Sequence, residues 1–412
     1  MKVLMIASWS DSYNGCGWMG ALQELLADAQ GVDLAIAFPV KKHTKNFSRG
    51  ETIYYPVPTP SPISRKICRY LGGYLHWNRE EYVDAMKSVI ADFAPDVIHL
   101  FGLENVFANI LGHTETPIVV HLQGLLAPYD NAYFPQGMNK SSFVWPPTFR
   151  EWFLHKGYIF AKNSMHARGR WEIERFKNMR FATGRTAWDF QITKLLSPNC
   201  TYRTVNEVLR PVFYEHAGQW ESHNRARMII VSTVSQTIYK GIDLILKTAK
   251  LLHEHSQIDF EWHIIGVNAT SNYVTFFERV TGIHGKDYGI NYLGIKNAEE
   301  LCDELLNADV YVHPSYIDNS PNSLCEAQLV GLPTIGTYVG GIPSLIEEGK
   351  SGILIPSNAP FELAYHLKDL FENRTYAEHL SEGAKRSAAK RHDRNQIAQD
   401  LIETYKFAID KK

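Results

Sequence analysis

Only five cysteines occur in the 412 residues, Cys16, Cys68, Cys200, Cys302 and Cys325, and no two of them are spaced as Cys-x-x-Cys. That excludes a disulfide framework and the usual zinc-binding spacings, and it points to buried, unpaired thiols in a reducing compartment. No apolar run reaches membrane-spanning length, and the opening stretch Met1 to Ser8 is too short for a signal peptide, so it reads as a buried first strand. A cytoplasmic location is therefore expected, and the Asn-x-Ser/Thr matches at Asn46, Asn139, Asn199, Asn268 and Asn373 are expected to be chance. The formal net charge of -2 gives no global pull towards nucleic acid or a membrane, so any such attraction has to be local and nucleic acid is not an expected partner. Internal repeats, low-complexity tracts and sustained heptads are missing as well.

What is present is ordinary globular composition, 45% hydrophobic, in a chain longer than one core supports, so two domains are expected. Short apolar runs alternate with longer helical patterns. In the first half strands are expected at Val3 to Ser8, Val32 to Phe38, Val97 to Phe101 and Ile118 to Leu122, with helices near Gly20 to Ala29 and Arg79 to Phe93. In the second half strands are expected at Met228 to Ser232, Glu261 to Ile265, Val310 to His313 and Thr334 to Gly336, with helices near Gly241 to His253, Ala298 to Asn307 and Ser323 to Val330. Two sets of βα units imply an α/β protein of two doubly wound lobes, whose ligands sit beyond the carboxyl ends of the strands, with a cleft between lobes as the natural site. The polar stretch Glu215 to Arg225 is the expected linker, giving domains at 1–217 and 218–385. A basic run, Lys385 to Arg394, precedes a last amphipathic helix, Ile397 to Phe407, in a tail spanning 386–412.

The densest chemistry lies at His313-Pro-Ser-Tyr-Ile-Asp318-Asn319-Ser320-Pro-Asn-Ser-Leu-Cys-Glu326, followed by Gly331-Leu-Pro333 and Gly340-Gly341. Asp318 and Glu326 stand eight positions apart, one in a loop and the other inside the helix after it. Such a pair suits a ligand with two separated hydroxyl-bearing parts, for instance a nucleotide-sugar. Upstream, Lys240 in Tyr239-Lys240-Gly241 lies between a strand and a helix, where a cation and a helix N-terminus can meet an anion. The block resembles the retaining glycosyltransferases of family 4. That resemblance implies a GT-B fold whose C-terminal helix crosses back to the first lobe. It also implies transfer of a sugar, of hexosyl type, from a nucleoside diphosphate donor to a saccharide or lipid-linked saccharide acceptor, as in cell-envelope or capsule assembly.

Carried onto this sequence, the resemblance makes Lys240 the diphosphate ligand, Asp318 an acceptor of sugar hydroxyls, Glu326 an acceptor of the ribose hydroxyls, and Asn319 and Ser320 amide donors. Two departures stand out: the family pattern has glutamate where Asp318 is, and many relatives carry an arginine where Ser235 stands. Ser235 can donate a hydrogen bond but brings no charge, so the diphosphate either relies on Lys240 and amides or recruits another cation, for which Arg185 and Arg210 are the candidates. No Asp-x-Asp occurs, so a metal-clamped diphosphate has no ligand pair, and no cofactor or metal is expected. Against these roles stand plain ones: Lys240 as a solvated loop lysine, Asp318 as a turn residue, Glu326 as a surface helix residue.

In the first half, Gly15 and Gly17 offer backbone amides to a diphosphate or an acceptor, and His121 ends a strand at a functional address where the family places a sugar-facing histidine. A lone strand-end histidine is also often an ordinary buried residue. His99 reads as structural. Gly15 to Gly20 satisfies Gly-x-Gly-x-x-Gly, which leaves a nicotinamide-dependent oxidoreductase as one alternative; a non-catalytic sugar-nucleotide-binding protein is another. The fingerprint is loose, since Trp9 to Asn14 intervene after the strand and no acidic residue ends the second strand. Phe149 to Arg185 interleaves cations with aromatics, which suits an acceptor pyrophosphate or peripheral contact with the inner face of an anionic membrane, or else an ordinary solvated helix face. Arg185 and Glu207 are acceptor-contact candidates within segments similar to one subgroup of the family.

Overall fold

The computed structural model describes residues 1–7, 17–40, 44–58, 79–143 and 157–411. The chain forms two compact units. Unit 1 comprises Met1–Asp130, Asn163–Val208 and Asp393–Lys412; unit 2 comprises Asn131–Lys162 and Leu209–His392.

Unit 1 is built on eight strands, β1 (Lys2–Ile6), β2 (Asp33–Val40), β3 (Phe47–Arg49), β4 (Thr52–Pro58), β5 (Val97–Phe101), β6 (Ile118–His121), β7 (Phe181–Gly184) and β8 (Thr201–Thr204). Their order is β3-β4-β2-β1-β5-β6-β7-β8, parallel throughout except for the antiparallel β3 and β4 pair. Continuous apolar runs such as Val-Ile-His-Leu-Phe in β5 are buried along their whole length because helices cover both faces of the sheet. Three helices matter below: α1 (Gly17–Ala27), α2 (Arg79–Phe93) and α3 (Tyr158–Phe176), whose residues from Asn163 onward belong to unit 1. Leu4, Ile6, Ile98, Leu100, Val120, Phe107 and Phe176 form the centre of its core.

Unit 2 is built on β9 (Arg227–Thr233), β10 (Asp259–Ile265), β11 (Ile290–Gly294), β12 (Val310–His313), β13 (Thr334–Thr337) and β14 (Ile353–Ile355), all parallel in the order β11-β10-β9-β12-β13-β14. Here α4 (Ile242–His255) follows β9, and α5 (Asn322–Val330) joins β12 to β13. A last helix, α6 (Arg394–Asp410), returns to unit 1: Ile397, Leu401, Tyr405 and Ala408 recur at helical spacing and are buried, and the Tyr405 hydroxyl lies 2.5 Å from His99 Nδ1 on β5. His99 is thus a buried core residue, its pKa pushed down to about 3 by burial.

The stretch expected to link two domains, Glu215 to Arg225, falls within unit 2, to which the chain returns at Leu209, and it contributes Trp220 to that unit's core. Its polar letters hide Trp220, 3% exposed, whose indole donates to the Ala308 carbonyl at 2.7 Å while its backbone N–H donates to that of Val330 at 2.9 Å. One buried aromatic ring outweighs the polarity of its neighbours. Among the described residues, no helix is long and apolar enough to cross a membrane.

Candidate functional site

In unit 2 the site grows from the carboxyl ends of β9 and β12. After β9 the chain makes a short turn, Ile238–Lys240, and enters α4 through Gly241. Gly241 has φ of +75°, and a Cβ there would sit 2.0 Å from the Pro314 carbonyl oxygen, so only glycine lets this turn lie against the loop after β12. The Tyr316 N–H donates to the Tyr239 carbonyl at 2.8 Å and locks the two loops together. The Tyr316 hydroxyl in turn donates at 2.8 Å to Asp243, which is fully buried in the first turn of α4 and also accepts from Lys247 at 2.9 Å.

This frame brings Lys240 and Asp318 together: Lys240 Nζ donates to Asp318 Oδ2 at 2.5 Å, and His313 Nε2 lies 3.0 Å from the same oxygen. Burial alone would raise the Asp318 pKa, but the neighbouring ammonium and the His313 bond overcome it and hold the carboxyl well below its ordinary range. Burial lowers the His313 pKa despite the carboxylate beside it, so the imidazole is neutral and donates through Nε2. The Gly341 N–H binds the Asp318 carbonyl at 2.9 Å, and Gly340, at φ of +52°, has no room for a Cβ against that same oxygen.

Glu326, 2% exposed on α5, is not a surface helix residue. Arg210 grips it with two parallel bonds, Nε to Oε1 and Nη2 to Oε2, both 2.7 Å. Burial raises the Glu326 pKa and the guanidinium opposes the rise, so at neutral pH the geometry is that of a bidentate ion pair. Asn319 and Ser320 are buried just ahead of α5, and no side chain caps the start of that helix. Ser235 is exposed, its hydroxyl 2.6 Å from that of Thr237. Of the two substitute cations considered, Arg210 therefore stands in this unit, committed to Glu326. The pairing joins residues 116 positions apart, and sequence reasoning did not find it.

Replacing Tyr316 with phenylalanine should leave Asp243 with one bond fewer and loosen the Lys240 loop. The expected loss is about 1.5 kcal/mol of unit 2 stability, read from denaturant unfolding, with ligand affinity reduced more than turnover.

In unit 1, His121 ends β6 and is fully buried. Its ring lies 5.1 Å from the Trp18 ring and 5.2 Å from that of His99, and neither of its nitrogens has a hydrogen-bond partner among the described residues. Burial first, then His99 and Arg185, hold its pKa far below the usual histidine value, so it is neutral. The Arg185 guanidinium stacks over Trp18 at 4.9 Å and donates to the Gln123 carbonyl at 3.4 Å. Trp18 is the residue the sequence did not single out, although it sits inside the glycine-rich stretch. Glu207 is also fully buried in this unit. Gly15 lies outside the described residues, and Gly17 starts α1.

Much of the basic aromatic segment is structural. Residues 144–156 lie outside the described residues. In the rest, Arg168, Arg175 and Arg180 donate to the backbone carbonyls of Glu104, Leu103 and Lys411, and Glu172 accepts from the N–H groups of Leu126 and Ala127. Burial pushes the Glu172 pKa up to about 8, against those two bonds.

Residues 219–387 match the model of the family described as Glycosyl transferases group 1. The chain is 30% identical over 175 residues to the putative colanic acid biosynthesis glycosyltransferase WcaL of Escherichia coli (strain K12), a match covering 40% of this chain and 41% of that protein. The alignment thus spans about two fifths of the length of that curated relative. Among solved structures, it is similar to the sucrose-phosphate synthase of Thermosynechococcus elongatus, with a TM-score of 0.72, 14% identity and 100% coverage of both chains. It is also similar to Anabaena HepE in complex with UDP and glucose, with a TM-score of 0.64, 14% identity and coverage of 98% and 99%. The protein therefore has the GT-B fold, and its residues 219–387 match the model of the glycosyl transferases group 1.

Proposed function

We propose that the protein is a retaining glycosyltransferase of family 4 type. It moves a hexosyl group from a nucleoside diphosphate-sugar to an acceptor hydroxyl on a saccharide or lipid-linked saccharide, in cell-envelope or capsular polysaccharide synthesis. The observation that carries the reading is the cluster of half-buried Lys240 with buried Asp318 and His313 beside the uncapped N-terminus of α5, with Glu326 further along that helix, all inside the matched segment.

In the ligand-free protein Lys240 is satisfied by Asp318. A diphosphate offers it more negative charge, so the ammonium turns to the phosphate, aided by the amides leading into α5 and by the Ser235 hydroxyl. Asp318, released, accepts from sugar hydroxyls, and Glu326, oriented by Arg210, accepts from the ribose. In unit 1, His121 is the proposed sugar and transition-state contact: a buried neutral imidazole with two unsatisfied nitrogens can accept from one hydroxyl and donate to another oxygen. The amides of Gly15 and Gly17 are further donor contacts, and Arg185 and Glu207 face the acceptor.

In the transfer the bond from the anomeric carbon to the leaving phosphate oxygen breaks, its electron pair going to the diphosphate. The acceptor oxygen bonds to the anomeric carbon on the same face, and its proton passes to the leaving phosphate. The protein contributes orientation and charge, with no metal required. Peripheral contact with an anionic membrane at its cytoplasmic face belongs to the same proposal.

The dinucleotide reading of Gly15 to Gly20 is not favoured, because the family match and the fold both point to sugar transfer. A panel of nucleotide-sugars tests the proposal: one should raise the melting temperature, by the equivalent of about 2.7 kcal/mol at a hundredfold excess over Kd. The same donor should be turned over, even if only hydrolysed, with the anomeric configuration of the product, read by NMR, unchanged. Protection by NADH alone would sink it, and protection without turnover would favour a binding protein.

A further inference from the structure

A cavity of about 370 Å³ opens in unit 1 between α2, the turn Val106–Ile110 and the second half of α3. Its volume is within the roughly 300–1,000 Å³ range of small-molecule sites. None of Lys240, Asp318, Glu326, His121, Arg185 and Glu207 lines it.

One wall is preorganised by Arg175, which is 8% exposed. This guanidinium donates to the Leu103 carbonyl, stacks 4.6 Å from the Trp171 ring and donates from Nη2 to Asn109 Oδ1 at 2.8 Å. An asparagine whose oxygen is held by an arginine has its NH2 group fixed as well. Asn109 lines the cavity, and its Nδ2 is buried with no partner among the described residues, a donor whose bond is still to be made. Around it stand Asp84 and Glu174, two carboxylates, against Lys87 and Arg175, two cations, so the local charge cancels. A phosphate would call for net positive lining and a metal ion for net negative. An indole ring, an oriented amide and two carboxylate acceptors in a neutral setting match a ring that carries hydroxyls and no charge.

We propose that this cavity binds an uncharged saccharide, at a place separate from the sugar-nucleotide cluster. The inference stands apart from the reading of unit 2, since it uses none of those residues. Saturation-transfer difference NMR on the full chain, with maltose, cellobiose, lactose and N,N′-diacetylchitobiose as probes and glucose 6-phosphate as the anionic control, tests it. At least one neutral disaccharide should give signals from the wild type and equally from Lys240→Ala. Binding should weaken at least about tenfold in Asn109→Asp, which keeps the size and the arginine partner but replaces the donor by an acceptor, and in Glu174→Ala, which removes an exposed carboxylate. Unchanged melting temperatures in both variants separate this from misfolding. The proposal is overturned if no neutral disaccharide binds, if binding survives both substitutions, or if glucose 6-phosphate binds best.

Discussion

Lys240→Ala should lower kcat/KM by about a hundred- to a thousandfold and abolish protection of the melting temperature by a nucleoside diphosphate. It removes the side-chain ammonium proposed to bind the leaving phosphate, and such a charge-stabilising contact is typically worth that much. The same substitution has a consequence a solvated lysine could not produce. Asp318 owes its depressed pKa to that ammonium and to His313, working against burial. A carboxylate depressed in the folded state adds stability that is present above its unfolded pKa, about 3.9, and is lost as pH falls through the folded value. Without Lys240 the folded value rises, so the acid limb of the melting curve should move to higher pH. Melting temperatures followed from neutrality downward in wild type and variant check this. Coincident acid limbs would mean that Asp318 does not depend on Lys240, and unchanged nucleotide binding would reject the donor site.

Arg210→Ala should cost unit 2 about 3 kcal/mol, the lower end of what is lost when one partner of a buried ion pair is removed. Glu326 is then left buried without its guanidinium, and its pKa, already raised by burial, climbs further. With pKa raised in the folded state, the deprotonated form penalises folding, so the deficit should grow as pH rises and shrink on acidification. The double variant Arg210→Ala/Glu326→Gln, which removes the charge as well as its partner, should recover part of the loss. Unfolding midpoints across pH, read on the unit 2 transition, make the measurement. A flat deficit with no recovery in the double variant would show that Arg210 matters only through its packing on Phe213, 4.9 Å away.

The central strands were legible because each is an apolar run long enough to stand out: Val97–Phe101 and Val310–His313 fall where periodicity puts them. The strands that escaped lie away from the sheet centres or lack that signal. Phe181–Gly184 is a short strand inside a cation-rich segment, Thr201–Thr204 is partly exposed with no clear alternation, and Ile353–Ile355 has three residues. Trp220 escaped because composition averages over a window, while packing is decided by a single ring.

At the site, Lys240, Asp318 and Glu326 were legible because Lys240 stands beside Gly241 while Asp318 and Glu326 lie on either side of Pro321 and the start of α5, in the block that carries the family resemblance. Their partners were not. Nothing local tells that Arg210 reaches Glu326, that His313 supports Asp318, or that Trp18 faces His121; those contacts exist only once distant strands lie side by side. The orphaned nitrogens of His121 and Asn109 are likewise invisible in letters, since an unmade bond has no sequence signature.

Because Asn131–Lys162 belongs to unit 2 and Asp393–Lys412 to unit 1, the polypeptide passes from one body to the other four times. Neither body can be excised as one continuous stretch. On the ribosome the outcome is an order of events: the first body waits, with His99 lacking its tyrosine, until the second has been fully translated. Emergence of the last helix, rather than of the opening half, is when it can close its core.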